Sequence, residues 1–410
     1  MNYHSRLIAE KLTTALQTFP VVVLAGARQT GKSTLIRNEN HLRKRPYFSC
    51  DDPQIFLSIQ ASVEEFLNSK PVISLDEAQR VPQLFPALKR MVDENRTRGR
   101  YLISGSAQFL LLDNLSDSLA GRAGYVRISP VTVYELLESK GGPALYKLFD
   151  RQFDISCFSR SATAPWSDSW MARGGYPEVA WNPSINARLW FEAYEATYLE
   201  RDIRDLAAHL DPLAYQRFLR IAASRNGSLL NQSSIAQDAG LTNMTCGRYI
   251  HLLEISGLIN RIVPFHNNIG KRYVKSPKLL FNDVALAAHL AGIPQALENE
   301  KHPQFGPCVE SFVMQNLLAL ADAYLPGQMK LYHLRTASGF EIDAILEVGG
   351  ELAAVEIKSS RTIDKGSAAN LVKFMETSKA CKVGIVAYRG DQLLPLGKNI
   401  WAVPIAALLS

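Results

Sequence analysis

Read as a pattern of apolar and polar positions, the chain opens on Leu7, Ile8, Leu12, Leu16 and Phe19, which recur at helical spacing until Pro20. An amphipathic helix is predicted there. The period then changes. Val21-Val22-Val23-Leu24-Ala25 is apolar at every position and rich in β-branched residues, the mark of a strand buried on both faces. Further short strands are predicted at Tyr47-Phe48-Ser49, at Pro71-Val72-Ile73-Ser74-Leu75, at Arg100-Tyr101-Leu102-Ile103 and at Tyr125-Val126-Arg127-Ile128. A helix is expected over 62–67, where Ser62 and Glu65 stand in capping-box register. Strands interleaved with helices predict an α/β fold, a doubly wound parallel sheet.

Gly141-Gly142-Pro143 breaks the chain, and the pattern beyond it differs. From Trp166 to His209 it is helical and aromatic, with Trp170, Tyr176, Trp181, Trp190, Tyr194 and Tyr198, which predicts a helical connector or lid with rings in its core. Glu200, Arg201, Asp202, Arg204 and Asp205 alternate in sign, as on a solvated helix face. A helix at 214–223, a short helix at 233–241 punctuated by Gly240, and another beginning at Thr242 predict a helix-turn-helix. Strands at 258–263 and 278–281 supply its wing. A third region starts with an apolar helix entered through Gly306-Pro307-Cys308-Val309-Glu310. Strands follow at 332–336, 339–346 and 351–358, with Gly349-Gly350 as a hairpin turn, then a helix near Lys373-Phe374 and a strand at 382–388. The expected division is a doubly wound α/β sheet over 1–140, a connector over 141–210, a winged helix over 211–295 and a further α/β domain over 296–410.

Composition narrows the setting. A chain of 410 residues exceeds one ordinary core. Hydrophobic content of 47% and charged content of 20% fit a globular protein, and a net charge of +6 permits an acidic partner such as nucleic acid without establishing one. Cys50, Cys157, Cys246, Cys308 and Cys381 are scattered, so buried thiols in a reducing compartment are expected in place of disulfides or zinc. Arg6, Glu10 and Lys11 in the first turns are unlike a signal peptide, and no apolar run approaches the roughly 20 residues of a membrane span. A cytoplasmic protein with no membrane partner is expected.

The strand at 21–25 empties into Gly26-Ala27-Arg28-Gln29-Thr30-Gly31-Lys32-Ser33-Thr34, the Gly-x-x-x-x-Gly-Lys-Ser phosphate-binding loop. Gly26 and Gly31 let successive backbone N–H groups turn toward phosphate oxygens. Lys32 places a charge on the β- and γ-phosphates, and the Ser33 hydroxyl is placed to ligate Mg²⁺. A helix opening at Ser33 points its positive dipole end at the same anion. Downstream, the strand ending in Asp76-Glu77 supplies the other half of an ATP site: Asp76 to hold Mg²⁺, Glu77 to polarise the attacking water. These carboxylates are expected at the C-terminal end of a strand adjacent to the loop's own. Ser104 or Ser106 either senses the γ-phosphate or sits in a polar turn. Arg122, in Ser118-Leu119-Ala120-Gly121-Arg122, is either an arginine finger, in its own subunit or a neighbour's, or a surface ion pair.

In the helix-turn-helix, Thr242, Asn243, Thr245, Arg248 and Tyr249 are candidates to face a DNA groove. Residues 255–282 hold no acidic side chain but include Arg261, Lys271, Arg272, Lys275 and Lys278, a basic wing suited to phosphate contacts. A packing module is the competing reading. In the last region, alternation along the strand puts Glu356 and Lys358 on one face, and hairpin pairing brings Asp343 beside them. Asp343 and Glu356 would hold Mg²⁺, Glu310 would complete its shell, and Lys358 would orient or activate water.

Two resemblances follow from these residues. Gly-Ala-Arg-Gln-Thr-Gly-Lys-Ser-Thr, Leu-Asp-Glu-Ala-Gln, Ile-Ser-Gly-Ser, Leu-Ala-Gly-Arg, Ser-Pro-Val-Thr-Val-Tyr-Glu-Leu and Arg173-Gly174-Gly175-Tyr176-Pro177-Glu178 resemble the AAA-type ATPases of bacteria and archaea fused to a C-terminal domain of unknown function with a nuclease-like fold. Asp343 followed by Glu356-Ile357-Lys358 resembles the restriction-endonuclease-like PD-(D/E)XK arrangement, although Ile342 stands where that motif has proline. The resemblances imply ATP and Mg²⁺ as cofactors and an ATPase acting on DNA. The alternative is a regulatory switch whose distal domains bind DNA or a partner, or a second copy of the chain, without cutting.

Overall fold

The computed structural model describes residues 3–106, 119–150, 153–161, 165–206, 211–266, 272, 276–336 and 338–410. Ser118, Lys271 and Lys275 lie outside them, as do the side chains of Tyr198 and of the alternating charges at 200–205. The chain forms two compact units, Met1–Ser129 with His251–Leu258, and Pro130–Ile250 with Ile259–Ser410.

The first unit is built on a five-stranded parallel sheet of order β2-β3-β4-β1-β5. Its strands are β1 (Val21–Gly26), β2 (Tyr47–Ser49), β3 (Ile73–Asp76), β4 (Tyr101–Ser106) and β5 (Ala123–Arg127). The unbroken apolar run of β1 has a simple cause. Val21 and Val23 enter a core with Ile73, Leu75 and Ile103 on one side of the sheet, while Val22 and Leu24 enter another with Leu12, Leu35 and Ile36 on the opposite side. Helices α1 (Ala9–Thr18) and α2 (Lys32–Asn38) cover the second side, and α3 (Leu84–Glu94), with Phe85, Leu88 and Val92 inward, covers the first. One expectation is corrected. The strand bearing Asp76 is not adjacent to the loop's strand, because β4 lies between them and brings Ser104 into the gap.

The helices Pro212–Ser224, Gln232–Ala239 and Asn243–Ile255, the last passing from the second unit to the first at His251, precede β6 (Ile259–Ile262) and β7 (Lys278–Phe281) of the second unit, an antiparallel pair in which Ile262 faces Lys278. Gly240 ends the middle helix in a left-handed conformation, φ +66°, which costs glycine nothing. The chain beyond β6 runs on to the C-terminal sheet, where Phe265 N donates to His333 O. That sheet has order β12-β13-β11-β10-β9-β8. Strands β8 (Met329–Arg335), β9 (Glu341–Val348) and β10 (Glu351–Lys358) form an antiparallel meander, and β11 (Cys381–Tyr388) joins β10 in parallel. The edge is completed by β12 (Leu394–Gly397) and β13 (Ile400–Pro404).

The Arg173-to-Glu178 segment is a structural knot. The Arg173 guanidinium donates to the carbonyls of Val179, Asn182 and Ile185. Gly174 has φ +68°, and a Cβ there would lie 2.7 Å from the Asp283 carboxylate. Gly175 N donates to Asp283 Oδ2 at 2.6 Å. Tyr176, Trp190, Phe191 and Tyr194 pack ring on ring, as expected for a connector core.

Three candidates for DNA contact face inward instead. Tyr249 is buried against Tyr215 and Phe218. Arg272 lies between the rings of Phe265 and Tyr332 and donates to Glu347 Oε2 at 2.7 Å. Lys278 is 4% exposed. Tyr249 is drawn in by its neighbouring rings, while Arg272 and Lys278 bury their apolar stems and each finds a carboxylate. Thr242, Asn243, Arg248 and Arg261 are exposed, and Thr245 is half-buried. All five cysteines are buried, and none forms a disulfide with another. No helix among the described residues is long and apolar enough to cross a membrane.

Candidate functional site: a phosphate loop and a second carboxylate cluster

The loop 26–31 leaves the C-terminal end of β1 and returns as α2. It is shaped by two left-handed residues, Gln29 (φ +60°) and Gly31 (φ +92°). At Gly26 a Cβ would lie 2.5 Å from the Ile128 side chain and 2.7 Å from its carbonyl, so only glycine fits. Lys32 folds back over the loop, and its ammonium donates to the Gly26 and Ala27 carbonyls, both at 2.9 Å. Thr30 Oγ1 caps Ala27 O at 2.8 Å. Ala27 and Thr30 are buried, Arg28 is half-buried, and Thr34 is exposed on the first turn of α2. Beneath the loop, the buried Arg6 guanidinium donates to Thr30 O at 2.6 Å and to Ser129 O at 2.7 Å. The sequence reading missed Arg6. An arginine in an amphipathic N-terminal segment carries no signal of its own.

Asp76 ends β3 with its carboxylate clamped by three donors. Tyr47 Oη donates to Oδ2 at 2.6 Å, Ser104 Oγ donates to Oδ1, and Glu77 N donates to Oδ1 at 3.1 Å. Ser104 is therefore a support for Asp76. Glu77 is in a left-handed conformation, φ +53°, with its carboxylate accepting from Gln79 Nε2. Burial, with the adjoining Asp76 charge, pushes the Tyr47 phenol up, which keeps its hydroxyl a donor. Ser33 and Asp76 offer the hard oxygens that Mg²⁺ takes. Three neutral donors hold the Asp76 carboxylate and leave one of its lone-pair positions open, so these residues fit that ion.

Arg122 is placed elsewhere. It precedes β5, whose first residue Ala123 pairs with Val21, so it stands at the end of the sheet remote from the loop at Gly26. Its guanidinium makes a two-point pair with Asp93, Nε to Oδ1 at 2.6 Å and Nη2 to Oδ2 at 2.7 Å. A finger acting on its own subunit's nucleotide is excluded, because parallel strands put the two ends of β1 about 16 Å apart.

The C-terminal cluster gathers Glu310, Glu341, Asp343, Glu356 and Lys358 around β9 and β10, as the strand alternation predicts for the last three. Asp343 Oδ2 accepts from Ile357 N at 2.7 Å, and Lys358 Nζ donates to Glu356 Oε2 at 3.1 Å. Burial and the charges of Glu310 and Glu356 push the Asp343 carboxyl up to about 8. Burial also raises Glu356, against the pull of Lys358. What sequence reasoning missed is Lys278. Its ammonium lies 2.7 Å from Glu310 Oε1 and 3.2 Å from Glu341 Oε1. Burial opposes that charge, but Glu310, Glu341 and Asp343 outweigh it and raise the lysine. A basic residue counted toward a wing gives no hint that it points at carboxylates. Glu310 is thus engaged by an ammonium. Close as these carboxylates are, among the described residues no three His, Cys, Asp or Glu side chains are arranged so that they could hold a metal ion. The expected Glu310, Asp343 and Glu356 shell does not fit one in this arrangement.

Comparison with known proteins agrees with the first site. Residues 18–137 match a family described as AAA domain, so the N-terminal sheet is an AAA-type P-loop ATPase domain. Residues 166–297 and 305–408 match two domains of unknown function, DUF8612 and DUF4143. The uncharacterized protein Rv2008c of Mycobacterium tuberculosis is 30% identical over 98% of this chain and 84% of its own length. The uncharacterized protein Mb2031c of Mycobacterium bovis matches equally. Among solved structures, the Walker-type ATPase PABY2304 of Pyrococcus abyssi is 16% identical, covering 69% of this chain and 94% of its own, with a TM-score of 0.42. Cdc6p of Pyrobaculum aerophilum is 12% identical, covering 70% of this chain and 92% of its own, with a TM-score of 0.26.

Proposed function

The chain belongs to the same family as the two mycobacterial proteins, and we propose that it is an ATP-hydrolysing AAA-type switch whose winged-helix and nuclease-like regions engage DNA according to the nucleotide bound. The observation that carries this reading is the pairing of a phosphate loop, shaped by Gln29 and Gly31, with an Asp76 carboxylate fixed by three donors. In it, loop N–H groups and Lys32 hold the phosphates, Ser33 and Asp76 hold Mg²⁺, and Glu77 orients the water that attacks the γ-phosphorus. Mg²⁺ supplies charge neutralisation at the β- and γ-oxygens. Lys32 must leave the Gly26 and Ala27 carbonyls to reach a phosphate, a local rearrangement that binding itself would drive.

For the C-terminal region we favour binding over cutting, because Lys278 already neutralises Glu310 and Glu341. The exposed Thr242, Asn243 and Arg248 on the helix Asn243–Ile255 are the residues we assign to the nucleic acid. A second reading, phosphodiester cleavage, draws on the closeness of Asp343, Glu356 and Lys358. One experiment separates the readings. Purified protein is incubated with plasmid and Mg²⁺, with and without ATP, beside Asp343→Ala and Lys358→Ala. DNA-stimulated phosphate release with intact plasmid is the expected result. Nicking lost in both variants would establish cleavage, and phosphate release unaffected by Lys32→Ala would remove the ATPase reading.

A further inference from the structure

Asp76 is a carboxylate buried to 3% exposure at the end of β3, and the geometry of its donors is specific. An ionised carboxylate offers about four lone-pair positions. Tyr47, Ser104 and the Glu77 N–H take three of them. The remaining position is the one an incoming cation can use. Ser104 and Glu77 both act on Oδ1, so Tyr47 alone fixes Oδ2, at 2.6 Å.

Tyr47 also reaches the other side of the site. It begins β2, whose register sets Tyr47 beside Ser74 and Ser49 beside Asp76. The Arg37 guanidinium lies over the Tyr47 ring, 5.3 Å from the centroid. Ser33 and Arg37 belong to α2, the helix that closes the phosphate loop. One phenol therefore ties together the two elements that carry the magnesium oxygens. The ring edge meanwhile packs on the core that holds Leu35 and Ile36.

We propose that Tyr47 is a positioning residue of the ATP site, aiming the Asp76 carboxylate at a Mg²⁺ ion and bracing it against α2, the helix that carries Ser33. The inference rests on the ATPase reading above and adds a residue to it. Outer partners of metal ligands set ligand direction, and their loss costs about 10- to 100-fold in metal affinity. Tyr47→Phe removes the hydroxyl and keeps the ring, so the packing and the Arg37 contact survive.

The test uses the full chain and a fluorescent ATP analogue, titrated with Mg²⁺ and also measured in excess EDTA. The expected result for Tyr47→Phe is a rise of about tenfold in the Mg²⁺ concentration for half-maximal effect. Nucleotide affinity in EDTA should stay at the wild-type value, and the urea midpoint should fall modestly, by the loss of one donor to a buried carboxylate. A half-maximal Mg²⁺ concentration equal to wild type would overturn the proposal. So would an equal loss of affinity in EDTA, which would make Tyr47 a general structural residue. Lys32→Ala, run in parallel, keeps the outcomes separate: if it binds the analogue like wild type, the ATP-site reading itself fails.

Discussion

Asp76 and Asp343 are both aspartates on strands that carry a candidate site, and they are treated oppositely. Asp76 receives three donors, two of them side-chain hydroxyls, and Lys32 is the nearby cation of the same site. Asp343 receives one backbone N–H and faces Glu310 and Glu356, with burial and those like charges lifting it to about 8. A site prepared for a cation satisfies its carboxylate with neutral donors and leaves room for charge. A site that has supplied its own cation, as Lys278 does here, settles its balance internally.

The largest effect should come from breaking the first site. Asp76→Ala and Lys32→Ala are each expected to lower ATP turnover about a hundredfold or more, read as phosphate release under saturating MgATP. If both retain wild-type turnover, the contrast between the two aspartates has no functional meaning. Next is the internal cation. Lys278→Met leaves Glu310 without its ammonium and Glu341 with only the longer Arg335 contact at 3.8 Å, and since both carboxylates are partly exposed the cost should be about 2–4 kcal/mol. Urea unfolding checks this, and adding Glu310→Leu should recover part of the loss.

Asp343 sharpens the comparison through pH. Its folded value of about 8 lies above the unfolded value near 4, so the folded protein holds a proton that the unfolded chain releases. The resulting stability is complete below about pH 4 and drains away as pH rises to about 8, by at most about 1.4 kcal/mol per pH unit. Asp343→Asn should flatten that decline in urea melts taken across the range. An unchanged slope would mean that the carboxylates are not crowded. The smallest effect belongs to Arg122→Ala. Paired with Asp93 at the far end of the sheet, it should leave turnover within about twofold. A large loss that depends on protein concentration would put Arg122 in a neighbouring subunit's site.

Much of the first site was legible because its chemistry is local. The loop needs its glycines, lysine and serine in one order, and β1 advertises burial on both faces through its own residues. The knot at Arg173–Glu178 was legible as a motif but not as a role. Its partner, Asp283, lies more than a hundred positions away, and only the fold shows that Gly174 makes room for that carboxylate. Counting charge over 255–282 gave a basic wing, but charge in a sequence has no direction. Arg272 and Lys278 turn inward because each finds a carboxylate from a distant strand or helix.

By itself, then, the chain's order of residues determined a phosphate loop on a buried strand, an acidic strand end downstream, and an Asp, Glu and Lys brought together by strand alternation and a glycine hairpin. Each follows from periodicity or from backbone needs felt within a few residues. The tertiary structure decided that β4 would stand between β1 and β3, that Tyr47 and Ser104 would hold Asp76, that Arg122 would face away, and that Lys278 would enter the second cluster. Those outcomes depend on strand order and on partners tens of residues apart, which no local pattern encodes.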